Sequence, residues 1–206
     1  MTKVKICGIT TLDDALLAAR AGADALGFIF HEKSPRNIDP ERAASIIAAL
    51  PPFIQVVGLF VNAEVDFVNE TADRCRLDII QLHGEESPQY CRSVRRRVMK
   101  VFRVRGMESL ASMAEYQVAG FVLDAYSPNA HGGTGATFDW DCAIAAKEHG
   151  PIVLAGGLGP ENVAGAVAKV APYGVDVSSG VELSPGIKDP EKVREFIRQA
   201  KGEGLR

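Results

Sequence analysis

Chemistry in this sequence collects where short apolar runs end. Phe121-Val122-Leu123 reads as a buried strand and delivers a carboxylate, Asp124, at its C-terminal end. A turn-rich stretch with Pro128, Asn129, Gly132, Gly133 and Gly135 follows, and its glycines let backbone come close to a ligand. Strand, acid, glycine loop and helix is how an α/β enzyme displays a catalytic group; the plainer alternative for Asp124 is a turn cap. The other runs end in Cys7-Gly8, Arg36, Asn62, Gln81 with His83, Arg103, Gly156-Gly157, and Asp176 with Ser178-Ser179-Gly180. The last two sets combine small residues, backbone N–H groups and two hydroxyls, which together form a phosphate cradle. Their alternative is a pair of tight turns that need small residues.

These groups need strands to present them, and the chain supplies a regular alternation. Apolar runs at residues 4–7, 25–30, 54–61, 79–82, 98–104, 121–124, 152–155 and 175–178 predict eight strands. Helical patterns follow them at 11–21, 40–50, 64–75, 86–96, 107–116, 140–149, 160–171 and 190–201. Thr11 and Asp139 suit N-caps, Gly22 a C-terminal stop, and Pro160 a first helical turn. The runs are rich in Val, Ile and Leu and do not alternate with polar residues, as expected of parallel strands covered on both faces. Eight units in 206 residues predict a closed (β/α)₈ TIM barrel occupying residues 1–206 as a single domain. A doubly wound open sheet is the structural rival; it typically uses fewer strands and one dominant glycine turn after the first, where this chain has only Cys7-Gly8-Ile9-Thr10.

Composition narrows the partners. A hydrophobic fraction of 47% with 24% charged residues is that of a soluble globular chain, and no run approaches the ~20 apolar residues of a membrane span. The net charge of −3 argues against nucleic acid as a partner. Arg92, Arg95, Arg96 and Arg97 form the one basic run; it is expected to be a solvated helix end on the face of the barrel away from the site. Cys7, Cys75, Cys91 and Cys142 are scattered without metal-ligand spacing, which predicts reduced thiols in a cytoplasmic protein and no metal. Amphipathic outer helices suit a monomer or a homodimer alike.

Six ordered motifs then resemble one family. KICGIT over residues 5–10, SPR over 34–36, QLHG over 81–84, LDAY with GGTG and FDW over 123–140, LAGGL over 154–158 and DVSSGVE to PGIKD over 176–189 are similar in type, order and spacing to phosphoribosylanthranilate isomerases, across essentially the whole chain. Asn37 after SPR and Ala136 after GGTG depart from that pattern. The resemblance implies a cofactor-independent Amadori rearrangement of the small anionic substrate N-(5-phosphoribosyl)anthranilate, in tryptophan biosynthesis. It also implies Asp124 as general acid, Cys7 as general base, Arg36 as the group holding the anthranilate carboxylate, and His83 and Asp176 as substrate-lining residues.

The chemistry sets requirements of its own. Ring opening needs an acid at the furanose oxygen, and the Schiff base must then lose a proton from the adjacent carbon, so acid and base must flank the sugar. A cysteine near its free pKa of ~8.5 acts as a base only through a lowered value or a minor thiolate fraction. An aspartate near ~3.9 must be raised to donate a proton at neutral pH. Without the resemblance, Cys7 reads as a small buried hydrophobe, Arg36 as a solvated loop residue, and His83 and Asp176 as supporting hydrogen-bond groups. Two other classes share the phosphate cradle: another sugar-phosphate isomerase, epimerase or lyase, and a non-catalytic phosphate-binding barrel.

Overall fold

A computed structural model describes residues 1–125 and 140–202. The glycine loop with Pro128, Asn129, Gly132, Gly133 and Gly135, and the expected cap Asp139, lie outside the described residues. Among those described, eight parallel strands close into a barrel in sequence order: β1 (Lys3–Cys7), β2 (Ala25–Ile29), β3 (Gln55–Phe60), β4 (Ile79–Leu82), β5 (Arg97–Val104), β6 (Gly120–Ala125), β7 (Ile152–Leu154) and β8 (Gly174–Val177). β1 pairs with β2 on one side and β8 on the other, which closes the ring.

The helices are α1 (Leu12–Arg20), α2 (Pro40–Ala48), α3 (Val65–Cys75), α4 (Pro88–Ser93), α5 (Trp140–Ala146), α6 (Val163–Val170) and α7 (Pro190–Lys201). Local chemistry sets their starts. Thr11, Asp39 and Asp189 each accept backbone N–H bonds in the first turn, and Pro40 and Pro190 occupy helical positions that need no donor. Alternate strand residues sort into two environments. Ile6, Leu26, Phe28, Ile80, Leu82, Phe121, Leu123, Leu154 and Val175 join the main core between sheet and helices. Cys7, Ile29 and Leu59 form one smaller cluster and Val101, Val122 and Val153 another, at the strand positions that face inward.

Four expectations shift. The helix read at 86–96 shrinks to α4, because Ser87 caps at Tyr90 N and Glu86 is withdrawn into the interior. Arg92 alone therefore lies in its last turn. Arg95 and Arg96 reach Asp73 at 2.9 and 2.7 Å, Arg96 Nε donates to Leu77 O, and Arg97 donates to Gln55. The 107–116 helix is two 3-10 turns, Met107–Leu110 and Met113–Glu115. Pro160 sits in a turn before α6, where Asn162 accepts from Gly159 N and donates to Gly157 O. A further short hairpin, β9 (Glu182–Ser184) with β10 (Ile187–Lys188), follows β8 and a single 3-10 turn over Ser179–Val181.

Candidate active site

The C-terminal ends of the strands carry the candidate residues. Cys7 ends β1 and Asp124 lies one residue before the end of β6, so β7 and β8 alone separate them around one side of the ring. Both are buried, at 3% and 4% exposure. Asp124 Oδ2 lies 3.2 Å from His83 Nε2, near enough for a charge interaction but off the line of a hydrogen bond. Arg103, the register partner of Asp124 on β5, donates to the His83 carbonyl at 3.0 Å. His83 is thus brought beside Asp124 and held from behind.

Around Cys7 the structure adds groups that the motifs did not single out. Lys5, two residues earlier on β1, donates to Asp176 Oδ2 at 2.8 Å, both side chains being buried. Burial pushes the Cys7 thiol above its ordinary pKa, and the Asp176 carboxylate adds to this; the Lys5 and Lys188 ammonium groups act against it without prevailing. A thiol raised in this way is ionised only in a minor fraction near neutrality.

Arg36 is fixed by a carboxylate of its own chain. Its Nε lies 2.9 and 3.1 Å from the two Glu182 oxygens and its Nη2 lies 2.6 Å from Oε2. This fork, ahead of the cost of burial, raises the guanidinium's pKa. Glu182 also accepts from the fully buried Lys188 at 2.8 Å and from Gly186 N. Lys188 Nζ in turn donates to Cys7 O at 2.6 Å and to Ser178 O at 3.3 Å. Burial lowers the Lys188 pKa despite its anion. Burial alone would raise that of Glu182, but the two cations outweigh it and hold the carboxylate below its usual range. One buried carboxylate thereby links the arginine, the cysteine backbone and the end of β8.

The residues expected to cradle a phosphate also come together. Gly156 and Gly157 have consecutive left-handed backbones, φ +73° and +66°, a conformation that glycine adopts at little cost. Gly180 packs so closely on the loop after β7 that a β-carbon there would overlap the Leu158 carbonyl. Gly8, φ +75°, lets the turn after β1 lie against Arg36 and Ser178. Ser178 Oγ, Asp176 Oδ1 and Gln81 Oε1 are buried without a hydrogen-bond partner. Each such atom costs ~1–3 kcal/mol unless a ligand or water completes it. All three sit on strands, or immediately after one, that already present site residues.

Sequence reasoning missed Lys5, Glu182 and Lys188, and gave Gln81 and Arg103 no role. A signal was present for some of them. Lys5 and Asp176 interrupt apolar runs whose neighbours are all buried, and a charge at such a position must find a partner inside. Glu182 and Lys188 fall in a hairpin too short to show a period.

A family model described as N-(5'phosphoribosyl)anthranilate (PRA) isomerase matches residues 4–199. The chain is 75% identical over 201 residues to the N-(5'-phosphoribosyl)anthranilate isomerase of Citrifermentans bemidjiense, covering 98% of each. Against that of Geobacter sulfurreducens it is 64% identical, covering 98% of this chain and 100% of the relative. Among solved structures, phosphoribosyl anthranilate isomerase from Thermotoga maritima superposes with a TM-score of 0.92 at 43% identity, over 98% of this chain and all of that one. A second, a complex with reduced 1-(o-carboxyphenylamino)-1-deoxyribulose 5-phosphate, has a TM-score of 0.88 at 41% identity with the same coverage. A third describes mutually generated monomers of the dimeric Thermotoga maritima enzyme, with a TM-score of 0.89 at 41% identity and the same coverage.

Proposed function

Because the chain belongs to the phosphoribosylanthranilate isomerase family and catalyses that isomerisation in tryptophan biosynthesis, we propose how its own residues divide the work. Asp124 donates a proton to the furanose ring oxygen, and the ring opens to a Schiff base. Cys7, as thiolate, takes the proton from C2′; the electron pair left behind forms an enolamine that tautomerises to the aminoketose. Arg36 binds the anthranilate carboxylate through the N–H groups that Glu182 leaves available. Gly156, Gly157, Ser178, Ser179 and Gly180 cradle the phosphate, with the hydroxyl of Ser178 awaiting a partner. His83 and Asp176 line the sugar, Asp176 through its unpartnered Oδ1.

The observation that carries this reading is a buried thiol and a buried carboxylate at the ends of two strands on one rim, with a forked arginine beside the thiol. The test follows the loss of anthranilate-type fluorescence when protein meets freshly generated phosphoribosylanthranilate, with spontaneous decay subtracted. Cys7→Ala and Asp124→Asn are each expected to slow turnover by roughly 10²–10⁴-fold, the range for a lost general acid or base, with circular dichroism unchanged. Wild-type turnover in either variant removes that residue from its role.

None of the four buried cysteines is in a disulfide, which supports a cytoplasmic location; among the described residues no helix is long and apolar enough to cross a membrane. The dimeric relative supports a homodimer, which sedimentation at assay concentration tests.

A further inference from the structure

We propose that Lys5, anchored by Asp176, is the counter-ion of the Cys7 thiolate, and so a positioning residue that acts on the base without touching the substrate. The inference rests on the reading of Cys7 as base.

The geometry begins with spacing. Residues 5 and 7 of one strand point to the same side, here the inside of the barrel. The two side chains meet over Gly27 of β2, the register partner of Cys7. A β-carbon at Gly27 would stand 2.7 Å from Cys7 Sγ and 3.1 Å from Lys5 Nζ. Glycine therefore leaves the space in which sulfur and nitrogen lie side by side, inside the ~4–6 Å over which a cation favours an anion.

Among the described residues, four charged groups act on or answer to the sulfur. Lys5 lies on its own strand, Asp176 on β8, Lys188 on β10, and Arg36 in the loop after β2. Ile29, Leu59 and Val61 add apolar walls. Arg36 and Lys188 both share Glu182, and Lys188 spends further donors on the carbonyls of Cys7 and Ser178. Lys5 is the cation whose opposing influence on the thiol is largest.

Asp176 has a defined part in this. A lysine buried alone sheds its proton as its pKa falls. Burial is the largest influence on Lys5 too, yet Asp176 and Cys7 together keep its pKa above the ordinary value. The 2.8 Å bond to Asp176 is thus what holds a charge on Lys5 in this buried setting. Lys5 neither gives nor takes the substrate proton, which passes from C2′ to sulfur.

The experiment reads the thiolate directly. Alkylation of Cys7 by iodoacetamide is followed against pH in the full chain, by mass spectrometry of the Cys7 peptide so that Cys75, Cys91 and Cys142 do not contribute. The pH profile of kcat/KM is measured beside it. In Lys5→Met the apparent pKa of Cys7 alkylation is expected to rise by about one unit or more, roughly a tenfold loss of thiolate at a given pH. Loss of kcat/KM should match this at neutral pH and shrink as pH rises. If Lys5→Met leaves Asp176 uncompensated and the chain fails to fold, Lys5→Met/Asp176→Asn removes both charges at once. A smaller rise in the same direction is expected there, because the carboxylate that itself raises the thiol's pKa is lost too while the opposing influence of Lys5 is the larger. A wild-type alkylation profile in either folded variant overturns the proposal. Full turnover by Cys7→Ala would instead sink the reading of Cys7 as base and leave the alkylation result standing.

Discussion

Glu182→Gln isolates the carboxylate that joins Arg36, Lys188 and the cysteine turn. The wild-type group receives Arg36 Nε and Nη2, Lys188 Nζ and Gly186 N, and its side chain is only 4% exposed, against 14% for Arg36 and none for Lys188. Removing one partner of such a buried pair costs about 3–5 kcal/mol, because the other charge stays behind. Glutamine keeps one acceptor oxygen but turns an amine toward one of the cations, so the lower end, ~3 kcal/mol, is expected. With a urea m-value of ~2 kcal/mol/M, the unfolding midpoint by circular dichroism falls by roughly 1.5 M at pH 7. The pH dependence gives a second check. Glu182 has a folded pKa below its unfolded one, so its stabilisation is complete above the unfolded value and disappears as pH falls through the folded value. The wild-type and Glu182→Gln stabilities must therefore converge in acid. A difference under ~1 kcal/mol at pH 7, or one that persists in acid below both values, refutes the account of this carboxylate as an ionised hub.

Other outcomes follow from the same structure. Gly180→Ala forces a β-carbon onto the Leu158 carbonyl; such overpacking costs about 1–3 kcal/mol, and the KM for the phosphorylated substrate should rise as the two cradle loops part, whereas unchanged stability and KM would mean the loops do not depend on that contact. Lys100→Met leaves Glu86, 1% exposed, without the cation 3.0 Å away, so ~3 kcal/mol should be lost. Part of this returns in Lys100→Met/Glu86→Gln; a single variant as stable as wild type would show that the pair is not coupled. Because burial holds the Cys7 thiol above its ordinary range, the rate of Cys7 alkylation in the wild-type protein should climb with pH through neutrality and beyond ~8.5. A plateau reached near neutrality would show a thiolate already formed.

The barrel was legible because parallel strands buried on both faces read as uninterrupted Val, Ile and Leu runs, and because Thr11, Gly22 and Pro190 punctuate helices by rules that act within a few residues. The strand-end positions of Cys7, Asp124 and Asp176 followed from the same runs. What was not legible depends on distance along the chain. Arg36 reads as a loop cation until Glu182, 146 residues away, is folded against it. Lys188 reads as surface charge until it meets Cys7 O across 181 residues. Glu86 looks like the start of a helix, yet its carboxylate satisfies the N–H groups of Asn62 and Gly84 and the ammonium of Lys100, so the helix begins two residues later. Charge taken alone suggests solvent, and only the partner reverses that reading.

The hairpin of β9 and β10 has a consequence for how the molecule comes into being. Thr10 bonds to Gly186 O, Lys188 N to Asp14, and Lys188 Nζ to Cys7 O, so the first turn of the chain is completed by nearly its last segment. A nascent chain on the ribosome can pair β1 with β2 early, but closing loops of this length carries an entropic cost that only the finished barrel repays. Until β10 has emerged, the cysteine turn lacks its lysine and Arg36 lacks its carboxylate. The cysteine turn and Arg36 therefore take their final partners only once the β9–β10 hairpin has docked.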